Sequence, residues 1–329
     1  MKRIISLILV AVLAVCSFAS CQVNDNGQRE KIEIGYMAGP TGMGMAKLIH
    51  DNGGKDGNNL YGFHKYADTT LAKKDLASGA IDLICLPTNE AAAYYNANPG
   101  SVRVLAINCL NSLYLLTNKN TSVESFDDLG GKTIYTCKNG TPRMVLEHIV
   151  EVADIGATVS YTFDGKEIAT PADLGALVVS GKLPIAVMPE PIVTSSLLSI
   201  QKNGNADISY SVDLDLADAW SKAYSTPITM GCVVASADFV MNNKSSIDAF
   251  LRDYEESIEF IGKSENIDTA ANYVVETEVM AAAPAAKKAL ANLGDAISYI
   301  DGDDMKNALV SFYDAIGLKK PDDGFYYND

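Results

Sequence analysis

Short apolar runs, each followed by a turn bearing Gly or Pro and then by a segment of helical period, recur along most of this chain. That alternation is what most narrows the folds open to it. Residues 31–36 alternate polar and apolar as a strand does, Gly39-Pro40-Thr41-Gly42 makes a turn, and Met43, Met45, Ala46, Leu48 and Ile49 fall on one face of a helix. Residues 67–79 read as a helix closed by Ser78-Gly79, and residues 81–86 as a continuous apolar run suited to a strand buried on both faces. Thr88 or Asn89 is then placed to cap an Ala-rich helix over 90–96, and 102–108 is a further strand, with 112–118 continuing in extended form.

The same pattern returns in a second stretch. Residues 126–132 form a turn-like connector, 133–137 a strand, Asn139-Gly140-Thr141-Pro142 a loop, and 143–152 a helix with Pro142 near its first turn. Next come a strand at 159–163, a helix at 171–180 closed by Gly181, and an apolar strand at 185–188 that runs into Pro189-Glu190-Pro191 and a helix at 192–201. The β-rich segment 226–236 follows a polar, acidic stretch containing Trp220, and helices at 246–261, 267–275, 285–293 and 304–316 complete the chain. The expected architecture is α/β, with two doubly wound lobes whose sheets are mainly parallel, joined by two crossing strands near 110–118 and 226–235. Lobe I is assigned 31–112 and 228–329, and lobe II 113–227. Ligands of open α/β sheets bind outside the carboxyl ends of the strands, so both lobes are expected to present loops to one cleft.

The chain opens on an export leader. Lys2 and Arg3 precede an apolar run from 4 to 14 broken only by Ser6, and Phe18-Ala19-Ser20-Cys21 ends in small residues before a cysteine. The run is shorter than the roughly 20 apolar residues of a membrane-spanning helix, which points to removal of residues 1–20. The cut site resembles the bacterial lipobox, which makes Cys21 the lipidated mature N-terminus and the membrane the anchor. Cys16 competes less well, and an ordinary secretory leader is the other reading. Residues 21–30, rich in Asn, Asp, Gly and Gln, read as a flexible tether. The protein is thus expected on the extracytoplasmic face of the cell membrane.

A formal net charge of −15 argues against nucleic acid as a partner, because phosphate binding needs clustered Lys and Arg. Hydrophobic residues make up 48% of the chain, enough for a sizeable core. Cys85, Cys109 and Cys232 lie in apolar strand-like runs, and with Cys137 they read as buried thiols in preference to disulfides, since none is spaced as a CxxC pair. His50, His64 and His148 are scattered, with no metal-binding spacing, and no GxSxG or P-loop pattern occurs. No metal, cofactor or catalytic group is expected.

Solute contacts are sought at the turns. Gly39, Pro40, Thr41, Gly42 and Met43 precede a helix, and Asn139, Gly140 and Thr141 repeat the arrangement, so that backbone N–H groups and helix N-termini suit an anionic or carbonyl-bearing ligand. A plain tight turn is the alternative for either loop. Thr41 and Thr141 are the leading opposed contacts. Arg143, in a first helical turn, either pairs with an anion or stands solvated. Thr88 and Asn89 follow a buried strand directly, and Asn111 sits with Tyr114 at a crossing.

Several stretches in order carry a resemblance: Ile34-Gly35-Tyr36 with its Gly-bearing loop, Leu76-Ala77-Ser78-Gly79-Ala80-Ile81-Asp82-Leu83, and Ser125-Phe126-Asp127-Asp128-Leu129-Gly130-Gly131-Lys132-Thr133-Ile134. The segment from Leu177 to Pro191 and Ala235-Ser236-Ala237-Asp238-Phe239-Val240 extend it over nearly the whole mature chain. The sequence resembles the alkanesulfonate, nitrate and thiamine-precursor solute-binding proteins of ABC importers. The resemblance implies a periplasmic-binding-protein-like type II fold that closes, as a monomer, on a small-molecule solute and delivers it to ABC permease and ATPase subunits. It also places Glu190, on its Pro-flanked turn, near the cleft. An enzyme on the same bilobal fold, of menaquinone-pathway or pyrimidine-synthase type, and a lipoprotein receptor that binds without transport are the alternatives.

Overall fold

Apolar residues on both faces of a strand require cover on both faces, and the central strands of this protein obtain it from two helix layers. The computed structural model describes residues 31–53 and 60–328; the leader, the tether, Cys16 and Cys21 lie outside the described residues. The first stretch runs β1 (Ile32–Met37), α1 (Pro40–Met43), α2 (Ala46–Gly53), β2 (Tyr61–Tyr66), α3 (Thr69–Ser78), β3 (Leu83–Pro87), α4 (Thr88–Ala97) and β4 (Val102–Leu110). The chain then passes into β5 (Leu113–Asn118), β6 (Thr133–Tyr135), α5 (Thr141–Val152), β7 (Thr158–Ser160), and the small hairpin of β8 (Thr162–Phe163) and β9 (Lys166–Glu167). There follow α6 (Pro171–Val179), β10 (Ile185–Pro189), α7 (Ile192–Asn203), β11 (Tyr210–Asp215) and α8 (Leu216–Ala223). The chain returns through β12 (Thr229–Ser236) and finishes in α9 (Ala237–Asn242), α10 (Lys244–Gly262), α11 (Ile267–Glu276), α12 (Ala283–Leu293) and α13 (Gly302–Ala315).

The strands form two five-stranded sheets, ordered β2-β1-β3-β12-β4 and β11-β5-β10-β6-β7. In the first, β1 pairs parallel with β2 and β3, while β12 runs antiparallel to β3 and β4, with Val233 opposite Cys85 and Ala106. In the second, β10 and β7 flank β6 in parallel, and β5 runs antiparallel to β10 and β11. Each sheet therefore has one strand against the rest, and in each it is the strand by which the chain arrives from the other sheet. The expected mainly parallel, doubly wound α/β architecture with two crossings is the one found.

Side chains alternate across the first sheet. Leu83, Cys85, Leu105, Val233 and Ala235 face a core with Phe250, Tyr254 and Ile258 of α10. Ile84, Leu86, Val104, Ile107, Cys232 and Val234 face the opposite way, towards Phe312 and Tyr313 of α13. This second core continues without a break to Leu113, Leu115 and Val187 of the second sheet, Val145 and Ile149 of α5, and Trp220 of α8. The far face of the second sheet is covered by α6 and α7 through Leu174, Val178, Val193 and Ile200.

Local chemistry fixes the helix ends. Asp68 accepts from the N–H groups of Thr70 and Leu71 at the start of α3, and Gly79, at φ 73°, closes it in the left-handed conformation where a Cβ is costly. Thr170 and Asp173 form a capping box on α6. The expectation that Thr88 or Asn89 caps α4 is not met: Pro87 occupies the cap position without a side-chain bond, because the Thr88 hydroxyl is turned inward to the Thr229 carbonyl at 2.6 Å. Edge strands β2 and β11, and α8, have no counterpart in the sequence reading. The four remaining thiols, Cys85, Cys109, Cys137 and Cys232, are free and buried, and burial pushes the Cys85 and Cys109 thiols up to about 12.

Trp220 joins the two sheets' cores. It is 1% exposed, its ring lies 4.6 Å from that of Tyr224 and 5.6 Å from that of Phe312, and its indole N–H donates to the Thr226 carbonyl at 2.8 Å. Truncation leaves a large void and an unpaired carbonyl. Trp220→Ala is expected to lower the free energy of urea unfolding by about 3–5 kcal/mol, and a loss under about 1 kcal/mol would show that the two cores do not depend on this ring.

Candidate functional site

The turn after β1 sits directly on the sheet. Gly39 adopts φ 134°, a conformation side chains rarely enter, and a Cβ on Gly42 would lie 2.2 Å from the Met37 carbonyl oxygen. The amides of Gly42 and Met43 both donate to the Gly39 carbonyl, at 3.0 and 3.1 Å. Those N–H groups are therefore satisfied within the turn and are not free for a ligand, contrary to the simplest expectation for a Gly-rich loop. Gly42 and Met43 are buried, whereas Gly39, Pro40 and Thr41 keep partial exposure. The Thr41 methyl lies over β12: a Cβ on Gly231 would come within 2.2 Å of it and within 2.5 Å of the Asn108 Oδ1 atom. Gly231 is thus the residue that lets this turn approach the sheet.

Three expected site residues meet the start of β12 or the residue before it. Thr41 covers Gly231, Thr88 bonds Thr229, and Asn111, at φ 40°, pairs with Ile228. The Asn111 side-chain oxygen accepts from the Ile228 N–H at 2.9 Å, and its own N–H donates to the Ile228 carbonyl at 3.0 Å. Thr88 has no accessible surface, and Tyr313 donates to its carbonyl at 2.9 Å. Thr88 and Asn111 act here as fasteners of the second crossing.

The turn after β6 brings the second sheet's contribution. Gly140, at φ 93°, opens α5, with Asn139 exposed beside it. The Thr141 hydroxyl donates at 3.0 Å to the Asn89 side-chain oxygen, and the Asn89 amide reaches the Met144 sulfur at 3.8 Å. Asn89 follows β3 of the first sheet and Thr141 follows β6 of the second, so the strand-end turns of the two sheets meet through this bond. Arg143 stands over the ring of Tyr161, which follows β7, at 5.7 Å. Its nearest carboxylate, Glu147, is 3.7 Å away, too far for a hydrogen bond, and its Nε atom is buried without an acceptor. A guanidinium half-covered by protein and short of an acceptor, beside Thr141 and at the carboxyl ends of parallel strands, suits an anionic oxygen.

Glu190 follows the carboxyl end of β10, which runs parallel to β6. It has no accessible surface; Oε1 accepts from the Thr194 hydroxyl at 2.8 Å and the Asn292 amide at 2.7 Å, and Oε2 accepts from the Thr194 N–H at 3.1 Å. Sequence reasoning did not select Asn292, Thr194 or Gly231, because a lone Asn in an Ala-rich helix or a lone Gly in a strand carries no local cue to a distant partner. Concavities of about 350 and 380 Å3 lie elsewhere, one against α7 and the turn before β11, the other against α10 and residues 295–300, and no residue of the strand-end turns lines either.

Burial holds the Glu190 carboxyl above the ordinary glutamate range, with the bonds from Asn292 and Thr194 pulling the other way. A carboxyl whose folded-state pKa is raised keeps a proton that the unfolded chain releases. Its contribution to stability is therefore full below about pH 4.3 and is lost as pH rises through the folded-state value. Relative to Glu190→Gln, the wild type is expected to lose unfolding free energy between pH 4.5 and 7.5, as read by urea titration; a difference that is flat or rises over that window would contradict the assignment.

No family model and no curated protein matches this chain, and its likeness to known proteins lies in solved structures. An ABC transporter protein from Parabacteroides distasonis superimposes with a TM-score of 0.72 at 18% identity, covering 91% of this chain and 99% of that one. The periplasmic aliphatic sulphonate-binding protein of Escherichia coli gives 0.66 at 16% identity, over 92% and 93% of the two chains. The periplasmic nitrate-binding protein of Synechocystis gives 0.55 at 15% identity, over 82% and 70%. The structural neighbours are thus ABC-transporter solute-binding proteins, and at these identities the likeness shows the fold: a periplasmic-binding-protein type II arrangement of two mixed, mainly parallel sheets.

Proposed function

We propose that this protein is the extracytoplasmic solute-binding component of an ABC importer, and that it captures a small anionic solute between the turns after β1 and β3 on one side and after β6 on the other. The observation that carries this reading is the meeting of Asn89 and Thr141 across the two sheets, next to an Arg143 guanidinium that lacks a full set of acceptors. Residues 31–112 with 228–329 act as one lobe and 113–227 as the other. The solute lies between them and favours the closed form by touching both. Thr41 and Asn89 contribute from the first lobe; Asn139, Gly140, Thr141 and Arg143 contribute from the second. No chemistry is performed on the solute, and the energy for import comes from the partner ATPase after docking on the permease. The leader is removed and Cys21 carries the lipid that keeps the protein, as a monomer, at the outer face of the cell membrane.

Sulfonates and nitrate are the first solutes to try. They are the ligands named for the sulphonate- and nitrate-binding neighbours, and their oxygens match a guanidinium short of an acceptor. The test is differential scanning fluorimetry of residues 31–329 against nitrate, alkanesulfonates, taurine, pyrimidines, flavins and amino acids. A bound solute at a hundredfold excess over its dissociation constant adds about 2.7 kcal/mol of stability. For that solute, Arg143→Gln is expected to weaken binding by about 1.5–3 kcal/mol, the worth of a charged hydrogen bond, and Thr141→Val by about 0.5–1.5 kcal/mol. A panel without any stabilising compound, or binding unaffected by Arg143→Gln, would overturn the anion assignment.

A further inference from the structure

Outside the strand-end turns, one polar cluster bridges the two sheet units, and it centres on a residue to which nothing so far assigns a role. Asn292 lies in the last turn of α12, a helix whose residues Ala286, Ala289, Leu290 and Leu293 are buried in the α10 core of the first sheet. Its side-chain amide donates to Glu190 Oε1 at 2.7 Å and to the Thr194 hydroxyl at 3.1 Å, and its backbone carbonyl accepts from the Tyr114 hydroxyl at 3.0 Å. Glu190 follows β10, Thr194 lies in α7 and Tyr114 in β5, all in the second sheet unit. Asn292 therefore makes three hydrogen bonds to the other unit, two from its side chain and one at its backbone carbonyl.

The bonding is not interchangeable. Glu190 has no accessible surface, and its other two donors both belong to Thr194 of α7, so loss of the Asn292 amide strips a buried carboxyl of its one donor from the first unit. Glu190 is also tied to the first crossing, since its N–H donates to the Ser112 carbonyl at 3.1 Å. At its other end, α12 follows the segment 277–282, which overlies the turn after β1: Tyr36 donates to the Thr277 carbonyl at 3.1 Å, and a Cβ on Gly42 would lie 3.1 Å from Val279. The chain from Thr277 to Asn292 thus touches the turn proposed to hold solute at one end and the second sheet unit at the other.

We infer that Asn292 is a positioning residue for solute capture, a clasp that sets how closely the two sheet units approach without itself touching the solute. The inference rests on the reading that the two units move as lobes, and its test needs no solute. The rotation that opens the turns must either preserve or break the Asn292–Glu190–Thr194 bonds. With two side-chain bonds to a fully buried carboxyl and its partner hydroxyl at stake, the clasp biases the solute-free protein toward the approach seen here.

The experiment is pulsed electron spin resonance between spin labels introduced at Lys74→Cys on α3 and Lys202→Cys on α7, both exposed positions, in the protein without solute. The thiols of the described residues, Cys85, Cys109, Cys137 and Cys232, are buried and resist labelling, and the labelled protein is residues 31–329. Asn292→Ala is expected to add a population at longer distance, and Asn292→Asp, which sets a second carboxylate against Glu190, a larger one. In Glu190→Gln/Asn292→Asp the glutamine amide donates to the new aspartate while its oxygen still accepts from the Thr194 N–H, and the wild-type distribution is expected to return. Circular dichroism separates a moved lobe from an unfolded one, and if Asn292→Asp does not fold, the alanine variant decides. Distances unchanged in Asn292→Ala and in Asn292→Asp, or a double variant that stays as open as Asn292→Asp, would overturn the inference. A solute panel without a hit bears on the importer reading and leaves these distances to be judged on their own.

Discussion

Asn111 holds together the two places where the chain crosses between sheets, and most of what is distinctive here follows from that constraint. Its side-chain oxygen and backbone N–H close a pair of hydrogen bonds with Ile228, so the segment leaving the first sheet and the segment returning to it lie side by side. The backbone there sits at φ 40°, a region that Asn tolerates better than most residues. Each crossing then enters its sheet as the one strand opposed to the others, β5 in the second and β12 in the first. All the remaining strands keep their carboxyl ends on the sides where their turns are free to meet.

Around that pair of crossings the apolar and polar contacts play different parts. The core shared by Ile107, Leu113, Val187, Trp220 and Phe312 is continuous between the sheets and carries no directional preference, so it supplies cohesion. Direction comes from a few hydrogen bonds: Thr88 to Thr229, Thr141 to Asn89, and Asn292 to Glu190 and Thr194. The bonds to the buried Glu190 carboxyl belong in a different class from an exposed ion pair, because a polar group left without partners in that position carries its full desolvation cost.

The sequence made the inner strands and the helix starts readable. The run Ile84-Cys85-Leu86 is apolar without alternation because helices cover both of its faces, and Pro142 and Pro171 stand at helix N-termini where a missing N–H costs nothing. Edge strands escaped notice for the converse reason. β2 leaves His64 and Lys65, on opposite faces, both exposed, and β11 leaves Ser211 and Val212 exposed, so neither shows the buried pattern by which its neighbours are recognised. At the site, the Gly-bearing turns were legible as turns, but what they bond was not. Whether Thr88 caps its helix or reaches β12 depends on the Thr229 carbonyl, which lies 141 residues away in sequence. The role of Asn292 depends on a carboxylate 102 residues away, and no local pattern encodes that separation.

A solute held by the turns of both sheet units at once shields the backbone of both when it binds. Amide hydrogen exchange of residues 31–329, measured with and without the first compound of the panel found to stabilise the protein, tests it most directly. The account predicts that protection rises together in residues 39–45 and 88–91 of the first unit and in 139–145 of the second, with little change in α6 or α13. Protection confined to one unit, or centred on the concavities beside α7 or α10, would contradict it.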